Sequence, residues 1–497
     1  MEFLYYFGEV FTGWSFLFLV AGTIGGLILG ATPGLSPTMA VALLIPFTFH
    51  MTPVNGLILL GAAYTSTVAG GAVSAILLKI PGAPANIATT LDGHTMAKNG
   101  EGARALQLSF IASLVGGVIG VLLLIFFTPV LAQWALKFSY SHQFWLAILG
   151  VTVIGTMESS SLVKGLLSGC IGLWLSTIGF DDILGVKRFV FHSSLGGGVN
   201  IIPALIGLFA IPQVISMFAK GRFDPAIDQI KVVSHSILDS FFEVFRRLKT
   251  LIIGTSIGSI IGLIPGVGGQ IAGLVAYDQA KKFSSEKEKF GTGHSEGIVA
   301  AESANNAMVG PSLIPLLTLS IPGSPTAAVL LGGLIIHGIF PGPDLFTNYP
   351  DVVWPFINSM LIGQFLMCIF GILIATWAAR VAKVPQSIMA AIVLGLAVFG
   401  SYAVQNSMGD VYVMLSLGIM MFVLERFGFS AAPLVLGLIL GPIAESNYVT
   451  GSQIALAQNG QFAYFFTGTL NIVLILIVVA SIGYAAWSEF FARKAKS

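Results

Sequence analysis

The chain has 497 residues, 55% of them hydrophobic and 9% charged, with a mean hydropathy of +0.91 and a formal net charge of +1. A soluble chain carries about a quarter charged residues, so this composition excludes a soluble enzyme, a disordered scaffold and a nucleic-acid binder, and leaves an all-α polytopic membrane protein. A net charge this small supplies no global field, so any charge recognition has to be local.

Residues 1–30 contain no Lys or Arg and carry Glu2 and Glu9. The N-terminus therefore reads as the outer end of a span and not as a cleavable signal. Apolar runs follow at 15–31, 37–51, 55–80, 105–131, 142–157, 162–180, 199–218, 250–280, 307–340, 352–379, 386–404, 411–424, 431–443 and 463–487. A span needs about 20 apolar residues, so the runs predict about 10–12 full spans plus broken or re-entrant segments. No alternating pattern of a transmembrane barrel is present. Basic residues collect at Lys220, Arg222, Lys231, Arg246, Arg247 and Lys249, and again at Arg493, Lys494 and Lys496. The positive-inside rule places both groups in the cytoplasm. Lys281, Lys282, Lys287 and Lys289 belong on the same side, which makes 250–280 either re-entrant or strongly bent. Cys170 and Cys368 lie in apolar runs, and the seven histidines have no ligand spacing, so no disulfide framework or transition-metal site is expected.

The strongest pattern is self-similarity. Gly22, Gly26, Gly30, Pro33 and Gly34 recur as Gly254, Gly258, Gly262, Pro265 and Gly266. Ile80-Pro81-Gly82-Ala83-Pro84 recurs as Ile321-Pro322-Gly323-Ser324-Pro325, Leu149-Gly150 as Leu394-Gly395, and Gly179-Phe180 as Gly428-Phe429. Pro203, Gly207 and Pro212 match Pro433, Gly437 and Pro442. The expected organisation is a first repeat at 1–219, a basic linker at 220–249, a second repeat at 250–445, and a C-terminal helix with a basic tail at 446–497. An outer start for one half and an inner start for the other make the repeats inverted, the usual basis of alternating access.

Each half has two Pro-Gly breaks within apolar sequence. Proline ends the helix before it and glycine lets the chain turn, so the residues beyond each break open a new half-helix. Its free N–H groups and positive dipole end form an anion site without Lys or Arg. The candidate substrate residues are Pro33, Gly34, Ser36 and Thr38; Pro81, Gly82 and Asn86; Pro265, Gly266, Gly268, Gly269 and Gln270; and Pro322, Gly323, Ser324 and Thr326. The competing reading is four helix kinks with ordinary caps. Gly22-Gly26-Gly30 and Gly254-Gly258-Gly262 are small-residue packing stripes. Gly254-Thr255-Ser256-Ile257-Gly258 fits a hydrolase G-x-S-x-G pattern but lacks its strand-to-helix elbow, so no catalysis is expected.

Thr65, Ser66, Asn305 and Asn306 are oxygen-rich candidates for a coupling cation. Glu302 either faces a cavity within the membrane or caps a helix at the surface. Asp92 and Asp278 are expected in loops or at a helix end, and Glu425-Arg426 as a self-neutralising pair at a span terminus.

The sequence resembles the TctA family, the large membrane subunit of the tripartite tricarboxylate transporters, along nearly its whole length. The resemblance is carried by Gly30-Ala-Thr-Pro-Gly-Leu-Ser-Pro-Thr-Met39, Ala75-Ile-Leu-Leu-Lys-Ile-Pro-Gly-Ala-Pro84 and Thr90-Leu-Asp-Gly-His94. Ala301-Glu-Ser-Ala-Asn-Asn306, Pro315-Leu-Leu-Thr-Leu-Ser-Ile-Pro-Gly-Ser-Pro325, and His337-Gly338 with Pro341-Gly342-Pro343 add to it. It implies carboxylate import across the bacterial inner membrane with a small membrane subunit (TctB-like) and a periplasmic solute-binding protein (TctC-like). It also implies coupling to Na⁺ or H⁺ with no other cofactor. Tyr64-Thr65-Ser66-Thr67, where a Tyr-Gly-Gly-Ser type sequence is expected, together with Ser303 and Gln270, departs from the family pattern; this bears on which carboxylate fits. A passive organic-anion channel would use the same site but need a continuous polar pore. An intramembrane enzyme would need a nucleophile–base pair, and none stands at helical spacing.

Overall fold

The computed structural model describes residues 2–157, 161–181, 185–192, 195–219, 235–265, 268–381, 385–457 and 463–494. Gly266, Lys220, Arg222, Lys231 and Lys496 lie outside the described residues. Helices dominate because apolar spans in lipid must satisfy their backbone groups internally. The strand content among the described residues is one short antiparallel pair, Gly179–Phe180 with Lys187–Arg188.

The first half opens with α1 (Gly13–Ala31), a break at Thr32–Leu35, and α2 (Pro37–Thr48). Ser36 caps α2 by accepting from the Met39 N–H at 3.3 Å, and Pro37 fills the first helical position, where no N–H is needed. The chain then returns to the level at which α1 began, since Ser15 Oγ donates to Asn55 Oδ1 at 2.9 Å near the start of α3 (Pro53–Leu78). The α1–α2 segment is therefore a re-entrant hairpin, and α3 runs parallel to α1. The glycine stripe allows close contact: a Cβ at Gly22, Gly26 or Gly30 would lie 2.6, 2.7 or 2.4 Å from the carbonyl oxygens of Leu59, Ala63 and Thr67. After Lys79, which adopts a left-handed conformation (φ 58°), the chain folds back and the Gly82 N–H donates to Gly71 O at 3.4 Å. The half continues with α4 (Ile87–Met96), α5 (Gly102–Ala135), α6 (Tyr140–Met157), α7 (Leu162–Ser176) and α8 (Ile201–Ala219).

The surface helix α9 (Ile237–Arg246) leads into the second half, which repeats the stripe and turn contacts of the first. Helix α10 (Leu248–Leu263) and α11 (Gly268–Phe283) form the equivalent hairpin, with Lys249 Nζ donating to Phe283 O at 2.6 Å across its open end. Of the two shapes expected for 250–280, the re-entrant one is found. Gly254, Gly258 and Gly262 of α10 would meet the carbonyl oxygens of Ala300, Ala304 and Met308 at 2.7, 2.1 and 2.5 Å. Those residues belong to α12 (Ser295–Ala307) and its junction with α13 (Val309–Leu319). Ser320 repeats the left-handed turn of Lys79 (φ 60°), and the Gly323 N–H donates to Ser312 O at 3.0 Å as Gly82 does to Gly71. Then follow α14 (Pro325–Ile336), α15 (Pro350–Val381), α16 (Gln386–Gln405), α17 (Met408–Arg426) and α18 (Ala431–Ala457), with a final α19 (Thr469–Lys494).

The two halves run in opposite directions. Helices α5 and α15 cross antiparallel, with a Cβ at Gly117 falling 2.1 Å from Gln364 Oε1 and one at Gly371 falling 2.5 Å from the Phe110 ring. The halves also exchange packing partners. A Cβ at Gly207 of α8 would meet Met414 O of α17 at 2.4 Å, while one at Gly437 of α18 would meet Gly169 O of α7 at 2.2 Å. Eight helical segments among the described residues are long and apolar enough to cross a membrane, and five shorter apolar helices, α2, α7, α10, α14 and part of α19, accompany them. The chain is thus an all-α polytopic membrane protein.

One end of the bundle gathers much of the charge. Arg104 grips Glu243 through two bonds of 3.0 and 2.7 Å, and Arg247 bridges Glu286 at 3.1 Å and Glu296 at 2.8 Å. Burial alone would raise the Glu243 pKa, but hydrogen bonds from Arg104 and Ser295 outweigh it and hold the carboxyl below its ordinary range. The described basic residues of 246–249 and the 281–289 segment therefore share one face. The glycine stripe supplies a stringent test of the packing. Gly258→Val forces a side chain into the Ala304 carbonyl, where the helix backbone has no room to yield, whereas Gly25→Ala meets nothing within 4 Å. The valine variant is expected to lose the monodisperse peak in detergent size-exclusion chromatography, and the Gly25 variant to keep it.

Candidate functional site

All four breaks lead to one cavity of about 350 Å³. Its wall is made by Ser36, Pro37 and Thr38 at the start of α2, and by Ala83, Pro84 and Ala85 before α4. Gly269 at the start of α11 and Ser324, Pro325 and Thr326 at the start of α14 complete the set. The start of α18, at Ser430–Ala432, opens onto the same space. Pro37 and Pro325 have no N–H, so the first donors of α2 and α14 are the Thr38 and Thr326 amides. Ser324 caps α14 by accepting from the Ala327 N–H at 3.1 Å. Across the space the Thr38 and Thr326 hydroxyls bond each other at 2.9 Å, joining the two halves.

The first-half helix α3 contributes Tyr64, whose hydroxyl lies 2.9 Å from Ser324 Oγ and 3.2 Å from Ser312 Oγ. The matching position of α12 is Asn305. It also lines the cavity, and both atoms of its buried amide lack a partner. An unpartnered buried amide is costly unless a ligand completes it. Among the described residues no Lys or Arg lines the cavity, and the one charged residue in the wall is Glu425, exposed at the end of α17. The cavity can hold an anion through helix N-termini, hydroxyls and one amide. Its size suits a small metabolite.

The other candidates fall outside the wall. The Pro33-Gly34, Pro81-Gly82 and Pro322-Gly323 peptides shape the turns: Gly34 takes φ +87°, while Gly82 and Gly323 sit where a Cβ would lie 2.6 and 2.7 Å from the carbonyl oxygens of Gly30 and Gly262. Pro265 ends the hairpin tip, Gly268 and Gln270 belong to the first turn of α11, and Gly266 is outside the described residues. Asn86 points away from the cavity and donates to Glu302 Oε1 at 3.4 Å.

The four cation candidates do not converge. The Thr65 hydroxyl is committed to Gly61 O and Ala62 O, at 3.2 and 3.0 Å. Ser66 Oγ is buried without a partner, Asn305 faces the cavity, and Asn306 Nδ2 donates to Ser113 Oγ at 2.7 Å and Glu302 O at 3.1 Å. Of the two places expected for Glu302, the surface cap is the one overturned, since the residue is fully buried within α12. Its carboxylate accepts from Thr89, from Asn86 and, at 3.2 Å, from Ser113.

Asp92 is likewise corrected. It lies inside α4, fully buried, and accepts the N–H groups of Gly291, Gly293 and His294 at 2.8, 2.9 and 2.7 Å plus the Tyr277 hydroxyl at 2.8 Å. Asp278 is exposed near the end of α11. Glu425 and Arg426 end α17 as expected but form no ion pair with each other; the Arg426 guanidinium sits 4.5 Å above the Phe422 ring. Glu286, His294 and Glu296 cluster closely enough for metal ligands, yet Arg247 already bonds both glutamates. Sequence reasoning missed the start of α18. The repeated Pro203 and Pro433, just inside α8 and α18, were the available signal.

Comparison with known proteins agrees with this architecture. The profile described as the tripartite tricarboxylate transporter TctA family matches residues 16–436. A 52.8 kDa Agrobacterium vitis protein from the region 3′ of ttuC′ in TAR-I is 34% identical over 486 residues, covering 97% of this chain and 94% of its own length. A protein from the corresponding TAR-II region of the same organism is 40% identical over 191 residues, covering 38% of this chain and 78% of its own. With both the profile and the full-length relative spanning the repeat that builds the cavity, the chain belongs to the tripartite tricarboxylate transporter TctA family.

Proposed function

We propose that this chain is the large transmembrane subunit of a binding-protein-dependent, cation-coupled secondary transporter. It imports a di- or tricarboxylate across the bacterial inner membrane by alternating access, with a small membrane subunit and a periplasmic solute-binding protein as partners. The observation that carries the reading is the convergence of four broken-helix starts, two from each inverted half, on one cavity whose wall, among the described residues, lacks Lys and Arg. Inverted repeats meeting at a central site of discontinuous helices are the usual framework of alternating access. The charged end with Arg104, Arg247 and Lys249 is assigned to the cytoplasm.

The test is uptake of labelled carboxylate into proteoliposomes containing both membrane subunits. Accumulation is expected only with loaded binding protein and an inward cation gradient. Equal uptake without either removes the coupling, and unitary currents in planar bilayers would mark a channel instead. Glu425 supplies a second check. Its carboxylate at the cavity edge repels an anion, and across a wet gap such a repulsion amounts to about 1 kcal/mol. Glu425→Gln is expected to lower the KM for carboxylate a few-fold in the same assay.

A further inference from the structure

Glu302 has no role in the anion site, yet it sits fully buried in the bundle with no Lys, Arg or His paired to it among the described residues. A buried carboxylate without a counter-charge is strongly disfavoured, and neutral hydrogen bonds offset only part of that cost. Its surroundings are oxygen-rich and incompletely satisfied. Thr89 and Ser113 present hydroxyls to the carboxylate, while Asn306 Oδ1 and Asn86 Oδ1 are buried without partners. Carboxylate, hydroxyl and amide oxygens are the ligands of a hard cation. The same hydroxyls can turn from donor to acceptor, so they also tolerate a protonated carboxyl.

We propose that Glu302, with Asn86, Thr89, Ser113 and Asn306, binds one monovalent cation, H⁺ or Na⁺, in each transport cycle and is the coupling site. The proposal rests on the secondary-transport reading above. The site joins the two halves: Asn86 and Thr89 come from the first-half break, Ser113 from α5, and Glu302 and Asn306 from α12. It also touches the cavity wall from behind. Asn86 follows Ala83–Ala85 directly, and Asn306 follows Asn305, so filling one site sets the backbone that lines the other. The first-half position matching Glu302 is Gly61, by the offset that pairs Gly82 with Gly323, so the repeat supplies one such carboxylate and not two.

The other ionisable groups on the packed elements have their own engagements or lie at exposed helix ends. On α3, Tyr64 bonds Ser312 and Ser324, while Lys79 is the C-cap at the helix end. On α4, Asp92 holds the 291–294 backbone and His94 bonds Ile76 O. Arg104 of α5 holds Glu243, and Lys137 beyond that helix's far end lies over Trp134. Lys249 of α10 bonds Phe283 O, and Glu296 of α12 itself bonds Arg247. On α11, Tyr277 bonds Asp92, while Asp278, Lys281 and Lys282 stand near its exposed end.

Two measurements test the site. The purified chain is treated with dicyclohexylcarbodiimide, which modifies buried protonated carboxyls, and labelling at Glu302 is read by mass spectrometry. Labelling that rises as pH falls and ignores Na⁺ identifies a proton site, and labelling suppressed severalfold by Na⁺ but not by K⁺ identifies a sodium site. Labelling indifferent to both overturns the proposal. In proteoliposomes Glu302→Gln is expected to keep substrate counterflow but lose gradient-driven accumulation. Thr89→Val is expected to raise the half-saturating ion concentration about tenfold, the cost of one ligand. Wild-type ion dependence in both variants overturns the proposed coupling site. Absence of carboxylate uptake by the wild type would instead defeat the transport reading, and the labelling result would stand apart from it.

Discussion

The double variant Thr38→Val, Thr326→Val is expected to lower carboxylate uptake about 100-fold while leaving the protein as stable as the wild type. The two hydroxyls are 9% and 6% exposed and bond each other at 2.9 Å across the cavity, one from each half. Valine has nearly the shape of threonine, and removing both partners of a buried hydrogen bond leaves nothing unsatisfied, so the double change is close to neutral for folding. Each single change strands one hydroxyl and is expected to cost about 1–3 kcal/mol of stability. Binding orders the variants differently. A hydrogen bond to a charged group contributes about 1.5–3 kcal/mol, and every 1.4 kcal/mol is tenfold in affinity. The double variant thus transports worst and unfolds latest of the three. Thermal unfolding in detergent and uptake in proteoliposomes measure the two orders. A double variant no more stable than either single one would show that the threonine pair is a packing contact only. Wild-type uptake by the double variant would remove both hydroxyls from the anion site.

The same residues show what the sequence could and could not reveal. Breaks and glycine stripes were legible because proline and glycine act through the local backbone, and their spacing recurs in both halves. Gly22 and Gly254 carry the same contact because only a missing Cβ permits it. That the breaks share one cavity followed from the repeat. The partners of each polar group did not, because hydrogen bonds across the halves depend on three-dimensional register. Thr65 looked like a cation ligand by type, but its hydroxyl is spent on its own helix. Asn305 and Asn306 looked equivalent as neighbours; a rotation of about 100° per helical residue sends one to the cavity and the other to Ser113. Asp92 lies in a polar stretch that reads as a loop. Only the folded chain shows that Tyr277 and the 291–294 backbone surround it. Asp92 and Glu302 were obscured by one cause, since burial of a carboxylate depends on which donors meet it from a distant part of the chain.

Asp92→Ala is expected to be the most damaging single substitution outside the cavity, costing about 3–5 kcal/mol, because it strands four donors at once, two of them buried. The Gly291, Gly293 and His294 N–H groups all converge on one carboxylate oxygen, and the Tyr277 hydroxyl occupies the other. Space for the carboxylate is itself specified, since a Cβ at Gly297 would lie 2.1 Å from Asp92 Oδ2. The anchor ties α4 of the first half to the connection between α11 and α12 in the second. Those two helices carry Gly269 and Asn305 into the cavity wall. Releasing the connection therefore loosens the anion site from a distance. Limited proteolysis is expected to cut within 284–294 in the alanine variant and to spare the wild type, with a lowered thermal midpoint in detergent. Asp92→Asn retains an acceptor oxygen for the three backbone donors and changes only the bond to Tyr277, so its loss is expected to be about 1 kcal/mol. An alanine variant as protease-resistant as the asparagine variant would show that other contacts hold the 284–294 connection, and that the hydrogen bonds to Asp92 add little to it.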